Sequence, residues 1–226
     1  MPAAWSRKVR AVLFDLDGTL ADTAPDLAFA LDTLLIEEGR RPLPYPDVRA
    51  QASHGTRALL ALGFGITPKH ADYARLHARF LEIYSAHPFG RTTLFPGMDQ
   101  VLAGLAQRAI PWGIVTNKPS QLTQLVVAAL GLAPHARCIV SGDTTPYQKP
   151  HPEPMLYACV QIGCAAPTCL FIGDSQRDIE AGRRATMHTL AARFGYLRAE
   201  DDPCSWGADG VIDTPIEVLD WLGEAG

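Results

Sequence analysis

The chain has 226 residues, a net charge of −4, 47% hydrophobic and 19% charged residues. That is ordinary globular usage, and a chain this long buries roughly 70% of its unfolded surface, which excludes disorder and any need for a stapling disulfide. The basic residues are scattered, with Arg40-Arg41 and Arg183-Arg184 the only adjacent arginines, so no basic stripe points to nucleic acid.

After a polar start the first apolar run ends at Asp15, short of the about 7–15 apolar residues that a signal peptide needs. Val9–Phe14 reads instead as a strand buried on both faces, because it is continuously apolar rather than alternating. From about Asp22 to Pro88 no strand pattern is found. Thr23 and Pro25 predict the start of a helix whose apolar stripe is Leu27, Leu31, Leu34 and Leu35, ended by Gly39. Pro42, Pro44 and Pro46 form a stiff connector, and helical stretches follow at Pro46–Leu62 and Pro68–Ala86.

Beyond that segment strands and helices alternate. Trp112–Val115, Cys138–Val140, Cys169–Ile172, Thr189–Ala192 and Val211–Ile212 read as strands. Met98–Arg108, Pro119–Leu130, Glu153–Gln161, Ser175–Ala185 and Ile216–Leu222 read as helices. The order predicts a doubly wound α/β domain, residues 1–21 and 89–226, carrying an inserted helical lid, residues 22–88. The longest uncharged stretch, Pro119 to Ala136, is broken by Gln121, Thr123, Gln124 and His135 and does not make a membrane span. Five cysteines without a C-x-x-C pair predict reduced, buried thiols of a cytoplasmic protein. Without a heptad run, a monomer or weak homo-oligomer is expected.

Acidic residues gather at predicted strand ends, where α/β sheets place their ligands. The first strand runs into Asp15-Leu16-Asp17-Gly18-Thr19-Leu20. Two carboxylates this close repel unless a cation or a proton lies between them, although Asp and Gly are also ordinary turn formers. Phe171-Ile172-Gly173-Asp174 ends in an acid too, with Asp178 one helical turn on. Asp15, Asp17 and Asp174 together make an all-oxygen pocket suited to Mg²⁺. Asp178 reads either as a companion or as an acid favoured by the helix dipole. Two of the chain's four lysines, Lys118 and Lys149, also follow strand ends. Thr116 and Lys149 offer a hydroxyl and a point charge, both suited to a phosphoryl group.

Taken together, Asp15-Leu16-Asp17-Gly18-Thr19-Leu20, Thr116-Asn117, Lys149, and Gly173-Asp174-Ser175 with Asp178 resemble, in order, the motifs of the haloacid dehalogenase superfamily of phosphohydrolases. The resemblance covers nearly the whole chain. It implies a Rossmann-like parallel sheet with a small helical cap. It also implies a Mg²⁺-dependent phosphate monoester hydrolase working through an aspartyl phosphate. Asp15 is then the nucleophile and Asp17 the acid and base. Thr116, Asn117 and Lys149 hold the phosphoryl group, and Asp15, Asp17 (by its carbonyl), Asp174 and Asp178 serve the metal. Within the superfamily the chain is most similar to phosphoglycolate phosphatases, through Asp22-Thr23-Ala24-Pro25-Asp26-Leu27 and Lys149-Pro150-His151-Pro152. It is similar too to the N-acetylmuramic acid 6-phosphate phosphatases, through Arg177-Asp178-Ile179-Glu180-Ala181-Gly182 and Gly195-Tyr196.

The expected partner is a small phosphorylated metabolite, 2-phosphoglycolate first and the sugar acid phosphate second. A sugar phosphomutase and a non-catalytic phosphate-binding module are weaker alternatives. Arg57, in the polar break Ser53-His54-Gly55-Thr56-Arg57, reads either as a grip for a substrate carboxylate or as one charge on a solvated helix face.

Overall fold

The computed structural model describes residues 8–86 and 90–223. In chain order the elements are β1 (Ala11–Phe14), β2 (Ala21–Asp22), α1 (Ala24–Glu37), α2 (Tyr45–Gln51), α3 (Gly55–Phe64), α4 (Tyr73–Ala86), β3 (Thr93–Leu94), α5 (Met98–Gln107), β4 (Trp112–Val115), α6 (Ser120–Ala129), β5 (Ile139–Val140), α7 (Glu153–Ile162), β6 (Cys169–Gly173), α8 (Gln176–Arg184), β7 (His188–Ala192) and β8 (Gly210–Ile212). Six strands form one sheet in the order β5-β4-β1-β6-β7-β8. Every pairing in it is parallel.

The continuous apolar run of β1 has its reason in this order, since the strand lies at the centre with cores on both faces. Val12 and Phe14 enter one core with Ile114, Leu170 and Ile172, while Ala11 and Leu13 enter the other with Val115, Met155 and Phe171. Burial of each such large apolar side chain is worth about 1.5–3 kcal/mol. Crossing between parallel neighbours requires the intervening helices, so each loop leaving a strand's carboxyl end reaches the same edge of the sheet.

Helices α1 to α4 make the helical unit expected between the first two motifs. The stripe Leu27, Leu31, Leu34 and Leu35 is buried, and α1 packs on α2, α3 and α4. Gly39, at φ 70°, lets the chain turn back so that the amide of Arg40 donates to the carbonyl of Leu35 at 2.8 Å. The lower limit of this unit, at residue 22, falls inside β2. Its upper limit, at 88, lies outside the described residues.

Several expectations are corrected. The stretch Pro46–Leu62 is not one helix: a 3₁₀ turn, Ala52–His54, separates α2 from α3, with Gly55 at φ 71° and ψ −173°. That conformation favours glycine and resets the helix axis. The helix foreseen from Pro68 begins at Tyr73, and Ile216–Leu222 is a 3₁₀ segment, Pro215–Trp221. Thr23 makes no side-chain cap on α1. The pair β2–β3, antiparallel with Ala21 opposite Leu94 and Asp22 opposite Thr93, had no legible pattern because two residues carry no periodicity. Cys138, Cys159 and Cys169 are buried as expected, but Cys164 is half-buried and Cys204 exposed. Among the described residues no helix is long and apolar enough to cross a membrane.

Candidate active site

The loop after β1 folds back on itself. The amide of Leu20 donates to the Asp15 carbonyl at 3.2 Å, and that of Ala21 to the Leu16 carbonyl at 2.9 Å. This turn presents Asp15 and Asp17 beside the ends of β4 and β6. Gly18 is required at its tip: its φ is +88°, and a Cβ there would lie 2.0 Å from Asp174 Oδ2. Gly18→Ala is expected to displace Asp174 and lower kcat by about 100-fold, the order of effect of a 1 Å misplacement. Steady-state kinetics on any accepted phosphate ester measures this, and a near-normal rate contradicts it.

Asp15, Asp174 and Asp178 converge, each offering a carboxylate oxygen within 4.8 Å of the others, and all three are buried. Lys149 lies beneath them, its Nζ 2.8 Å from Asp15 Oδ1 and 2.7 Å from Asp178 Oδ1. It also donates to the Val115 carbonyl at 2.8 Å. Asp178 completes a capping box at the start of α8, accepting from the amide and hydroxyl of Ser175. Burial alone would raise its carboxyl, but Lys149 and then Arg177 outweigh that and hold it below the usual carboxylate value. Asp174 lacks such a partner. Burial, then the charges of Asp178 and Asp15, push it up to about 8. Burial lifts Asp15 to about 6, with Lys149 opposing. Asp174 Oδ2 accepts from Ser53 Oγ at 2.6 Å and from the Tyr196 amide at 2.9 Å. Its Oδ1 is buried without a hydrogen-bond partner.

Three crowded carboxylates, one with an orphaned oxygen, against one lysine leave negative charge uncompensated. This donor set fits a hard divalent cation. The Asp17 carboxylate stands outside the cluster and could serve such an ion only through its carbonyl. Its Oδ1 accepts from Thr23 Oγ1 at 2.5 Å and from Lys118 Nζ at 3.0 Å.

Asp15, Asp17 and Thr116 line a cavity of about 390 Å³, roofed by Ser53, His54, Thr56, Arg57, Tyr73 and His77 from the helical unit. Exposed Arg57 thus reaches the cavity edge, which the sequence left open. Asn117 borders the cavity too, but its side chain is engaged elsewhere. It donates to the Lys149 carbonyl at 2.9 Å and accepts from the Lys149 amide at 3.0 Å, clamping the lysine loop to the end of β4. Residues given no role in the site from sequence are Tyr84, Lys118 as a partner of Asp17, Ser53, named only within the polar break, and Arg177, named only within a motif, whose guanidinium donates to the Ser53 carbonyl. Their partners lie far away in the chain, so nothing local assigns these contacts.

The comparisons agree with this geometry. The haloacid dehalogenase-like hydrolase family matches residues 12–192. The N-acetylmuramic acid 6-phosphate phosphatase of Pseudomonas aeruginosa is 39% identical over 218 residues, covering 96% of each chain. The phosphoglycolate phosphatase of Xanthomonas campestris pv. campestris is 43% identical over 212 residues, covering 92% of this chain and 94% of that one. A crystal structure from Haemophilus somnus shares the fold, with a TM-score of 0.85 over 96% of this chain and all of that one at 24% identity. The match spans every strand end that carries an acid or a lysine of the site, and by it the chain belongs to the haloacid dehalogenase-like hydrolases.

Proposed function

We propose that the chain is a Mg²⁺-dependent phosphatase of small phosphorylated carboxylic acids, acting in the cytoplasm through an aspartyl phosphate. One observation carries this: Asp15 and Asp17 face a roofed cavity while Lys149 and two further acids crowd behind Asp15.

Asp15 attacks phosphorus as the bond to the leaving oxygen breaks, which divides one hard displacement into two easier ones. Asp17 gives its proton to the leaving oxygen, then takes one from the water that attacks the aspartyl phosphate. Thr116 and the backbone amides beside it receive the phosphoryl oxygens. Lys149 keeps Asp15 oriented through their ion pair. Both oxygens of Asp178 are engaged by Lys149 and Ser175, so its part is to hold Lys149. The ion would be held by Asp15, Asp174 and the Asp17 carbonyl, and when bound it offsets the charge on the phosphoryl oxygens.

The metal assignment has a consequence for stability. The folded-state values of Asp15 and Asp174 lie above the model-peptide value of 3.8. Their contribution to stability is therefore fully present below 3.8 and is lost as the pH rises through about 6 and about 8. Chelator-treated protein is expected to lose thermal stability across that window, and the slope should flatten in Asp174→Asn. The Tm increase on adding Mg²⁺ should grow from pH 6 to pH 8, as the carboxylates ionise to receive it. A Mg²⁺ effect independent of pH contradicts the assignment.

For the substrate, 2-phosphoglycolate is the first reading, supported by the names of several relatives. A second reading, N-acetylmuramic acid 6-phosphate, is favoured by the cavity. Its volume of about 390 Å³ exceeds what a two-carbon acid fills. Tyr73 and His77, stacked on each other with ring centroids 5.5 Å apart, add aromatic surface to its lining, which suits a sugar better than a two-carbon acid. Both compounds carry a carboxylate, which Arg57 would grip through its planar fork. The test is kcat/KM for both on wild type and Arg57→Ala. The first reading expects a preference for phosphoglycolate and a loss of about tenfold or more in the variant, from removal of one charge-assisted hydrogen bond. A large preference for the sugar phosphate selects the second reading, and unchanged values in the variant remove Arg57 from the site.

A further inference from the structure

The site holds a buried cation that the reaction as written leaves without a role. Lys118, just beyond Thr116 and Asn117, is 9% exposed as a residue. Its Nζ lies 3.0 Å from Asp17 Oδ1 and 3.1 Å from the hydroxyl of Tyr84, and 4.8 Å above the Tyr84 ring. Tyr84 belongs to the last turn of α4, where the helical unit returns toward the sheet. At the opposite connection Thr23, immediately before α1, donates its hydroxyl to the same Asp17 Oδ1. Both connections of the helical unit therefore reach one carboxylate oxygen, one directly and one through Lys118.

From this convergence we infer that Lys118 is the positioning residue for Asp17, and that Tyr84 transmits the placement of the helical unit to it. The inference rests on the phosphatase reading and deepens it. With Oδ1 fixed by Lys118 and Thr23, Oδ2 is the oxygen left to meet the leaving group. Lys118 is also the counter-charge for the carboxylate that Asp17 becomes once its proton has gone to the leaving oxygen. The Tyr84 hydroxyl orients the ammonium, so displacing α4 loosens the grip on Asp17. Proton delivery is thereby tied to a seated lid, which limits idle hydrolysis in an open site.

Leaving-group dependence tests this, because a good leaving group does not need the proton of Asp17. Lys118→Met and Tyr84→Phe are compared with wild type on p-nitrophenyl phosphate and on whichever of the two carboxylated alkyl phosphates the wild type takes faster. Lys118→Met is expected to lose about 100-fold in kcat on the alkyl ester and less than about tenfold on the aryl ester, the range of general-acid contributions. Tyr84→Phe keeps its ring in the core and should show the same bias at about fivefold, as for one hydrogen bond. In an Asp17→Asn background, Lys118→Met should add no further loss on the alkyl ester. Equal losses on both esters, or an added loss in the double variant, place Lys118 on the phosphoryl group and overturn the inference. If Lys118→Met does not fold, the Tyr84→Phe bias decides alone. Failure of the phosphatase reading itself shows separately, as turnover that survives Asp15→Asn, and it removes this inference as well.

Discussion

Asp15→Asn should abolish turnover of every phosphate ester while leaving the protein as stable as before or more so. The attacking oxygen is gone, and losses of a nucleophile are on the order of 10⁴-fold or more. Stability moves the other way because burial raises the Asp15 carboxyl from 3.8 to about 6. Its contribution is present below 3.8 and lost as the pH rises through about 6, so at neutral pH its charge opposes folding in the metal-free protein. The amide removes that charge, and Lys149 keeps Asp178 as a partner at 2.7 Å. Rate assays and thermal melts of chelator-treated protein check both halves, with mass measurement to exclude deamidation back to Asp. More than a few per cent of wild-type activity contradicts the proposed nucleophile.

Lys149→Met is expected to damage both activity and fold. The lysine side chain is 1% exposed and is the shared ion-pair partner of two buried carboxylates. Removing one member of a buried ion pair costs about 3–5 kcal/mol, because the remaining charges have nothing to offset them. Loss of one fixed charge at a reacting centre lowers kcat by about 10²–10³-fold. Lys149→Arg should not rescue it, since the ammonium fits as a point charge among Asp15, Asp178 and the Val115 carbonyl, with no room for a planar fork. Denaturant melts with and without Mg²⁺ should show the cation restoring part of the lost stability. A Lys149→Met protein as stable as wild type contradicts the charge balance described for the site.

What the sequence made legible follows from where each signal lies. Continuous apolar runs marked the strands of a sheet buried on both faces, and β1, β4 and β6 fall within about two residues of expectation. Asp15, Asp17, Thr116, Lys149 and Asp174 could be found because each follows such a run, and parallel topology brings those ends together. Contacts between the helical unit and the sheet could not be found that way. Ser53 reaches Asp174 across 121 positions, and Lys118 reaches Tyr84 across 34, with no periodicity linking them. Thr23 shows a different limit: its place before a helix made it a natural cap, yet its hydroxyl donates to Asp17. Capping needs an extended residue whose hydroxyl oxygen accepts from a first-turn amide, whereas Thr23, at φ −94° and ψ −8°, is turned so that its hydroxyl donates to the carboxylate. Asn117, expected at the substrate, uses both side-chain groups on the Lys149 backbone.

The most direct test of the aspartyl phosphate is the stereochemical course at phosphorus. A phosphorothioate monoester made chiral with two oxygen isotopes would be hydrolysed in water carrying the third, and the configuration of the released thiophosphate determined. Each in-line displacement inverts phosphorus, so attack by Asp15 followed by attack of water gives overall retention. Retention is the predicted result, and inversion, the mark of a single direct attack by water, would contradict the account.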